Sequence, residues 1–415
     1  EMKGAFSTPE DVLQRNVFNS LFPDTPYGAE SGGDPGVIPD LSYEEFLDFH
    51  RRYYHPSNSF IYLYGNLDMK ERLDYLDREY LSAFDKITVE SEIPYQKPFA
   101  ETAECRLTYP ILNEESEKEK TFLSWSVVVG DILDVTKSIA FSILEYVLLS
   151  SPGAPVKQAL LDAGIGKDIE GSYEDGILQP FFSIVAKQAE ETDRDRFLQV
   201  IRETLAKLSE EGLDPLALAS GINYLEFRFR EADYASYPKG LIYGIDMFDS
   251  WLYDEKDPFR YLRTLPVFEK LKKAAEEGYF EALIRDYLLD NPHGSVVVLA
   301  PEKGLSARKE EETAARLAAY KEGLTEEELV RLVSDTKALQ AYQEEEDPPE
   351  AQTCIPLLSR SDISPDIPVK LSNEEFETEG IRGVRHIYQT NGIGYLTILF
   401  DTTKVPKEKL PYLGL

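Results

Sequence analysis

Short β-rich apolar runs alternate along this chain with amphipathic helical stretches, and no Gly-rich βαβ fingerprint joins them. That alternation excludes a dinucleotide-binding fold and predicts an α+β class, in which sheets are packed with helices as repeated sandwiches. Residues 121–129, 181–186 and 295–299 read as strands. Residues 137–149, 156–163, 193–210 and 215–230 read as helices, with Ser151-Pro152-Gly153-Ala154-Pro155 as a break between the first two.

The N-terminal part reads as helix, loop, helix, strand, helix. Ser7 with Glu10 has capping-box spacing before a helix over 11–21, and Ser42 with Glu45 repeats it before a helix over 43–53. Between them, residues 22–40 carry too many Pro and Gly for regular structure. Residues 59–64 alternate as a strand that ends at Gly65-Asn66, and 68–84 show helical spacing through Leu73, Leu76, Tyr80 and Leu81. A Pro-containing linker at 93–103 follows. Farther on, 305–320 and 325–342 predict a helical hairpin about Gly323, with Thr325 and Glu328 as a third capping box. Residues 384–389 and 394–400 around Asn391-Gly392 predict a β-hairpin. These breaks divide the chain into 1–92, 93–303, 304–350 (the hairpin linker) and 351–415.

The chain has 415 residues and a formal net charge of −32, with no concentration of Lys and Arg. Counterion release needs such a concentration, so nucleic acid is excluded as a partner, and a basic ligand suits the field better. Cys105 and Cys354 are the only cysteines and stand in no metal or redox spacing, which points to a reducing compartment. The longest apolar runs, near 125–129 and 296–300, are strand-sized, so no membrane partner is expected.

Chemistry-bearing motifs are few. The histidines are His50, His55, His293 and His386, and none stands in an H-E-x-x-H or H-x-x-E-H pair. The spacing of His50 and His55 at a helix end suits capping or packing. Ser31-Gly32-Gly33-Asp34-Pro35 lacks the Lys-Ser/Thr of a phosphate loop and reads as a turn. No catalytic residue is identified within the chain.

Several segments together carry a resemblance: Glu1-Met2-Lys3-Gly4-Ala5, Leu21-Phe22-Pro23-Asp24-Thr25-Pro26-Tyr27-Gly28, Ser31-Gly32-Gly33-Asp34-Pro35, and Phe49-His50-Arg51-Arg52-Tyr53-Tyr54-His55-Pro56-Ser57-Asn58. Leu63-Tyr64-Gly65-Asn66 adds to it. Looser matches run through Leu148-Leu149-Ser150-Ser151-Pro152-Gly153 and Gly164-Ile165-Gly166-Lys167-Asp168 to Lys409-Leu410-Pro411-Tyr412-Leu413. In these segments the chain resembles the pitrilysin/insulinase-type zinc metallopeptidases, in their presequence-protease branch.

The resemblance implies four related α+β domains, two halves joined by a helical hairpin and closing around a peptide-digesting chamber. It implies zinc held by the histidines of H-x-x-E-H and by a later glutamate, which corresponds to Glu1. The chain opens at Glu1 without an initiator methionine and stops at Leu415 in an apolar stretch, so it reads as part of a longer protein. On that reading the two histidines and the general base lie upstream. The implied partners are that upstream segment, the C-terminal half of the same protein and basic or unstructured peptides. The chain alone is expected to hold no zinc and to cleave nothing. A second reading is a non-catalytic chamber subunit of such a peptidase. The expected compartment is a bacterial cytoplasm, with a mitochondrial or other organelle matrix as the alternative.

Overall fold

The computed structural model describes residues 8–366 and 373–414. Its contacts divide the chain into two units, Glu1–Phe229 with Asp233–Val333, and Arg230–Ala232 with Ser334–Leu415.

In the first unit, helix α1 spans Pro9–Leu21, α2 Tyr43–Tyr53 and α3 Met69–Glu79. Proline at the first helical position and a hydroxyl before it start α1, but the capping oxygen is that of Thr8, which accepts from the Asp11 amide at 3.1 Å. Ser7, the predicted cap, lies outside the described residues. The box before α2 forms reciprocally: the Glu45 amide donates to Ser42 Oγ at 3.2 Å, and the Ser42 amide donates to Glu45 Oε2 at 2.9 Å. Neither α2 nor α3 buries a side chain, and Phe46, Phe49, Leu73 and Tyr75 are exposed. Residues 59–64 are extended but form no strand, because no neighbouring strand offers its backbone groups.

The remaining elements of this unit build one sheet and its helical cover. They are β1 Ala103–Ile111, β2 Thr121–Val128, α4 Val135–Glu145, α5 Pro155–Asp162, β3 Asp168–Glu174, β4 Phe181–Ala189, α6 Arg194–Glu211, α7 Pro215–Glu231, α8 Lys239–Trp251, α9 Leu265–Glu276, α10 Tyr279–Leu283 and β5 Gly294–Lys303. Helices α11, Leu305–Glu322, and α12, Glu326–Glu344, follow, with Thr325 and Glu328 capping α12 as predicted. The strand order is β1-β5-β2-β4-β3. All pairs are antiparallel except β1 with β5, a parallel pair closed across most of the unit.

Alternation along the strands sorts side chains onto two faces. Leu123 and Val127 of β2, Phe182 and Ile184 of β4 and Val298 of β5 join α4, α5, α6, α9 and α10 in the larger core. Phe122 and Val128, Phe181, and Val297 and Leu299 face the other way, against Leu13, Val17 and Leu21 of α1. Serines punctuate that second face. Ser126 and Ser183 bond across β2 and β4 at 2.7 Å, and Ser20 of α1 meets Ser295 of β5 at 2.6 Å. These short side chains let the helix approach the sheet while satisfying one another's hydroxyls.

The run Val135–Asp162 is long and apolar enough, by length and composition, to cross a membrane, which the strand-sized apolar runs of the sequence do not reveal. It is interrupted by Pro152-Gly153, and 56% of its most apolar window is buried inside the protein. A core helix buried on the sheet meets the same compositional test.

The second unit contains the hairpin β6, Asn373–Thr378, with β7, Ile381–His386. The hairpin predicted over 384–389 and 394–400 does not form. Asn391 and Gly392 do adopt φ of 52° and 85°, but the residues flanking them do not pair as strands. The turn chemistry at Asn391-Gly392 was legible, but the paired hairpin turns instead at Glu379-Gly380, with φ of 53° and 79°.

Candidate functional site

Glu1, the zinc ligand that the resemblance implies, lies outside the described residues. The four histidines are dispersed over separate environments. His50 stacks on Tyr54 with ring centroids 4.7 Å apart, and His55 Nδ1 accepts from the Ser57 amide at 3.1 Å, capping the turn Pro56–Asn58. His293 is buried between Phe22 and Phe99, with Nε2 3.1 Å from the Leu21 carbonyl. Burial pushes its imidazole pKa down, so the ring is neutral and Nε2–H is the donor to that carbonyl. His386 stacks on Tyr388 in the second unit. Among the described residues no group of three or more His, Cys, Asp or Glu could hold a metal ion. The described residues do not by themselves fit a zinc centre. Cys105 is half-buried with its thiol pKa raised by burial, and Cys354 is exposed.

The segment rich in family-like motifs is instead fixed by a polar lock. Buried Gln96 donates from Nε2 to Asp24 Oδ2 at 2.8 Å and accepts from the Asp24 amide at 2.9 Å. Its own amide donates to Gln179 Oε1 at 2.6 Å. Leu21–Asp24, the 93–103 linker and the β3–β4 connection are thereby tied together. Tyr27 extends the tie by accepting from the Leu178 amide at 3.2 Å and sharing a hydrogen bond with the Tyr253 hydroxyl.

Helix α8 carries two faces that sequence reasoning did not single out. On one, Gly240 and Gly244 leave the backbone bare, and Tyr64 and Tyr62 lie directly upon it. A Cβ at Gly244 would stand 2.5 Å from the Tyr62 ring, and at Gly240 only 1.8 Å from that of Tyr64. Tyr62 donates to the Gly240 carbonyl at 2.7 Å, and Phe60 packs on Phe248 and Trp251. The alternate residues Phe60, Tyr62 and Tyr64 of the predicted strand thus lie along a helix, Phe60 and Tyr62 half-buried and Tyr64 exposed.

On the other face stand Asp246 and Asp249. Burial, then the nearby charge of Asp175, raises Asp246 to about 6; burial, then Asp175 and Asp246, raises Asp249 to about 7. Burial also raises Asp175, in the turn after β3. Carboxylates elevated this far are a functional-site signal, and no motif in the sequence marks them.

Comparison with known proteins places these features in a family. The family model described as Peptidase M16 inactive domain matches residues 40–225, and a second model, for the region associated with subfamily C of the M16 peptidases, matches 299–415. Protein HypA of Clostridium perfringens is 42% identical over 415 residues, covering all of this chain and 42% of its own length. Presequence protease 1, chloroplastic/mitochondrial, of Arabidopsis thaliana is 36% identical over 423 residues, again covering all of this chain and 39% of its own length. The chain therefore spans about two-fifths of these relatives. Among solved structures, a protease from Helicobacter pylori aligns with TM-score 0.56 at 16% identity, covering 71% of this chain and 67% of its own. The peptidase M16 inactive domain from Pseudomonas fluorescens aligns with TM-score 0.52 at 16% identity, covering 72% and 67%. At that identity the structural likeness speaks for the fold.

Proposed function

The chain belongs to the pitrilysin-type M16 peptidases, in their presequence-protease branch, and we propose that it forms part of a zinc endopeptidase that degrades unfolded or basic peptides inside a closed chamber. The observation that carries this reading is similarity to a presequence protease along the whole of this chain, over 39% of that relative's length. Two imidazoles and a carboxylate would hold the zinc of such a peptidase, and the metal would supply activation of water for peptide hydrolysis. Glu1 would be the carboxylate. The histidines and general base would come from an H-x-x-E-H that is absent from this sequence.

The exposed apolar residues of α2 and α3 support the same reading, since helices of a sandwich need a sheet to cover. We assign 1–92 to the catalytic domain, 93–303 to a second domain of the same type, 304–350 to the linker between halves and 351–415 to the start of a third domain. The identity to a Clostridium protein favours a bacterial cytoplasm over an organelle matrix.

A non-catalytic chamber subunit is the second reading, favoured by the inactive-domain description over 40–225. Cleavage of a quenched-fluorescent unstructured peptide by the longer protein, with and without Glu1→Gln, separates the two. The peptidase reading predicts chelator-sensitive cleavage, with a loss of at least about a hundredfold in the variant, as removal of a metal ligand demands. Cleavage by neither protein, or equal cleavage by both, would contradict it.

A further inference from the structure

Helix α6 carries Arg194, Leu198, Ile201, Arg202 and Leu205 along one side, at the i, i+4, i+7, i+8 and i+11 spacing of a helical stripe. Between that stripe and the sheet lies a cavity of about 250 Å³, bounded on the sheet side by Trp125 of β2 and Val296 of β5. Strand β1 sets Glu104 at its edge, where no apolar side chain is available to fill the space.

Most polar groups around the cavity already have partners inside the protein. Arg194 pairs with Glu104 and Asp195. Asn291 Nδ2 donates to the Val128 carbonyl at 2.6 Å, and its Oδ1 accepts from the His293 amide at 3.0 Å. Two donors remain. Among the described residues the indole N–H of half-buried Trp125 has no acceptor in the protein, and the exposed Arg202 guanidinium has no carboxylate partner. A largely apolar hollow with two uncommitted donors on its lining residues is suited to a ligand with an apolar body and one anionic end.

We propose that this cavity binds a small apolar carboxylate, its hydrocarbon body against Trp125, Leu198 and Val296 and its carboxylate on Arg202. A cavity of about 150 Å³ takes a benzene ring, so about 250 Å³ takes roughly ten non-hydrogen atoms, the size of octanoate or phenylacetate. The planar guanidinium matches a carboxylate with two parallel hydrogen bonds. A net charge of −32 opposes polyanions such as nucleotides, whereas a single charge is offset by Arg202. The site goes beyond the peptidase reading and does not depend on it.

Trp125 and Trp251 are the only tryptophans, so Trp251→Phe leaves Trp125 as the sole indole reporter. The test titrates octanoate, phenylacetate and their uncharged amides into the 415-residue protein carrying that change, at pH 7.5, and follows indole emission. Ligand-observed NMR repeats the titration on the unsubstituted protein and reads binding that leaves the indole unperturbed. At least one acid should saturate with a Kd of about 0.1–1 mM, and its amide should bind at least about tenfold more weakly. The better acid identifies the body as alkyl or aryl. Arg202→Gln should weaken the acid by about tenfold and leave the amide unchanged. Arg196→Gln, exposed on the same helix outside the cavity, should change neither. Leu198→Phe, which fills the hollow, should weaken acid and amide alike. Melting temperatures show that each variant is folded. No saturation in either readout by about 10 mM, equal binding of acid and amide, an unaffected Arg202→Gln, or an equal loss in Arg196→Gln would each overturn the site. None of these outcomes bears on peptide cleavage by the longer protein.

Discussion

Asparagine in place of Asp249 removes a charge that the folded protein holds at a cost. The carboxyl titrates at 3.8 when solvated and at about 7 in the structure. The folded state therefore keeps a proton that the unfolded chain has already released. Its contribution to stability is complete below about pH 4 and is lost as pH rises through about 7. At about 1.4 kcal/mol per pKa unit the loss above pH 7 has a ceiling of about 4 kcal/mol. Asp249 is only partly buried, so solvent screening reduces this to about 2 kcal/mol. Asp249→Asn should recover that amount at pH 8 and less than about 1 kcal/mol at pH 5, where the native aspartate is already protonated. Thermal unfolding followed by circular dichroism should show a rise in melting temperature of about 3 °C at pH 8, shrinking at pH 5. A variant less stable at pH 8, or one whose gain is the same at both pH values, would refute the reasoning, because the cost assigned to Asp249 would not be electrostatic.

Two further outcomes test the packing. Gly244→Val puts branched carbon where the Tyr62 ring now rests, which should detach residues 59–64 from α8 and raise the proteolysis rate within 59–67 by about tenfold, while the sheet core keeps its melting transition. His293 is held neutral by burial, so its ring resonances in NMR should be unchanged from pH 8 down to 6.5, and stability should fall as pH drops further, when the unfolded chain gains a proton the folded one refuses.

Much of the fold was legible because its signals are local. The Ser42–Glu45 and Thr325–Glu328 boxes, the Ser151–Pro155 break and the apolar strands β2, β4 and β5 each depend on adjacent residues. Strand β1 was hidden by the Pro-containing linker before it, although Cys105, Leu107, Tyr109 and Ile111 alternate with polar residues. Strand β3 carries Gly171 and three acidic residues, and only its place beside β4 makes it a strand. For 59–64 the alternation predicted a strand, but Phe60, Tyr62 and Tyr64 lie against helix α8 and no neighbouring strand pairs with them. The carboxylate cluster left no trace in the sequence. Asp175 and the two aspartates of α8 are distant along a chain that holds 76 acidic residues, and burial without a counter-charge is a property of the folded state alone.

Zinc content per chain is the most direct test of the central claim, that this is a zinc-peptidase chain whose metal site depends on residues outside its 415. Elemental analysis after mild chelation and zinc re-addition should find less than about a tenth of an equivalent, since one carboxylate without its two imidazoles binds zinc weakly. A full, tightly held equivalent would contradict the account and point to a metal site built from residues within this sequence.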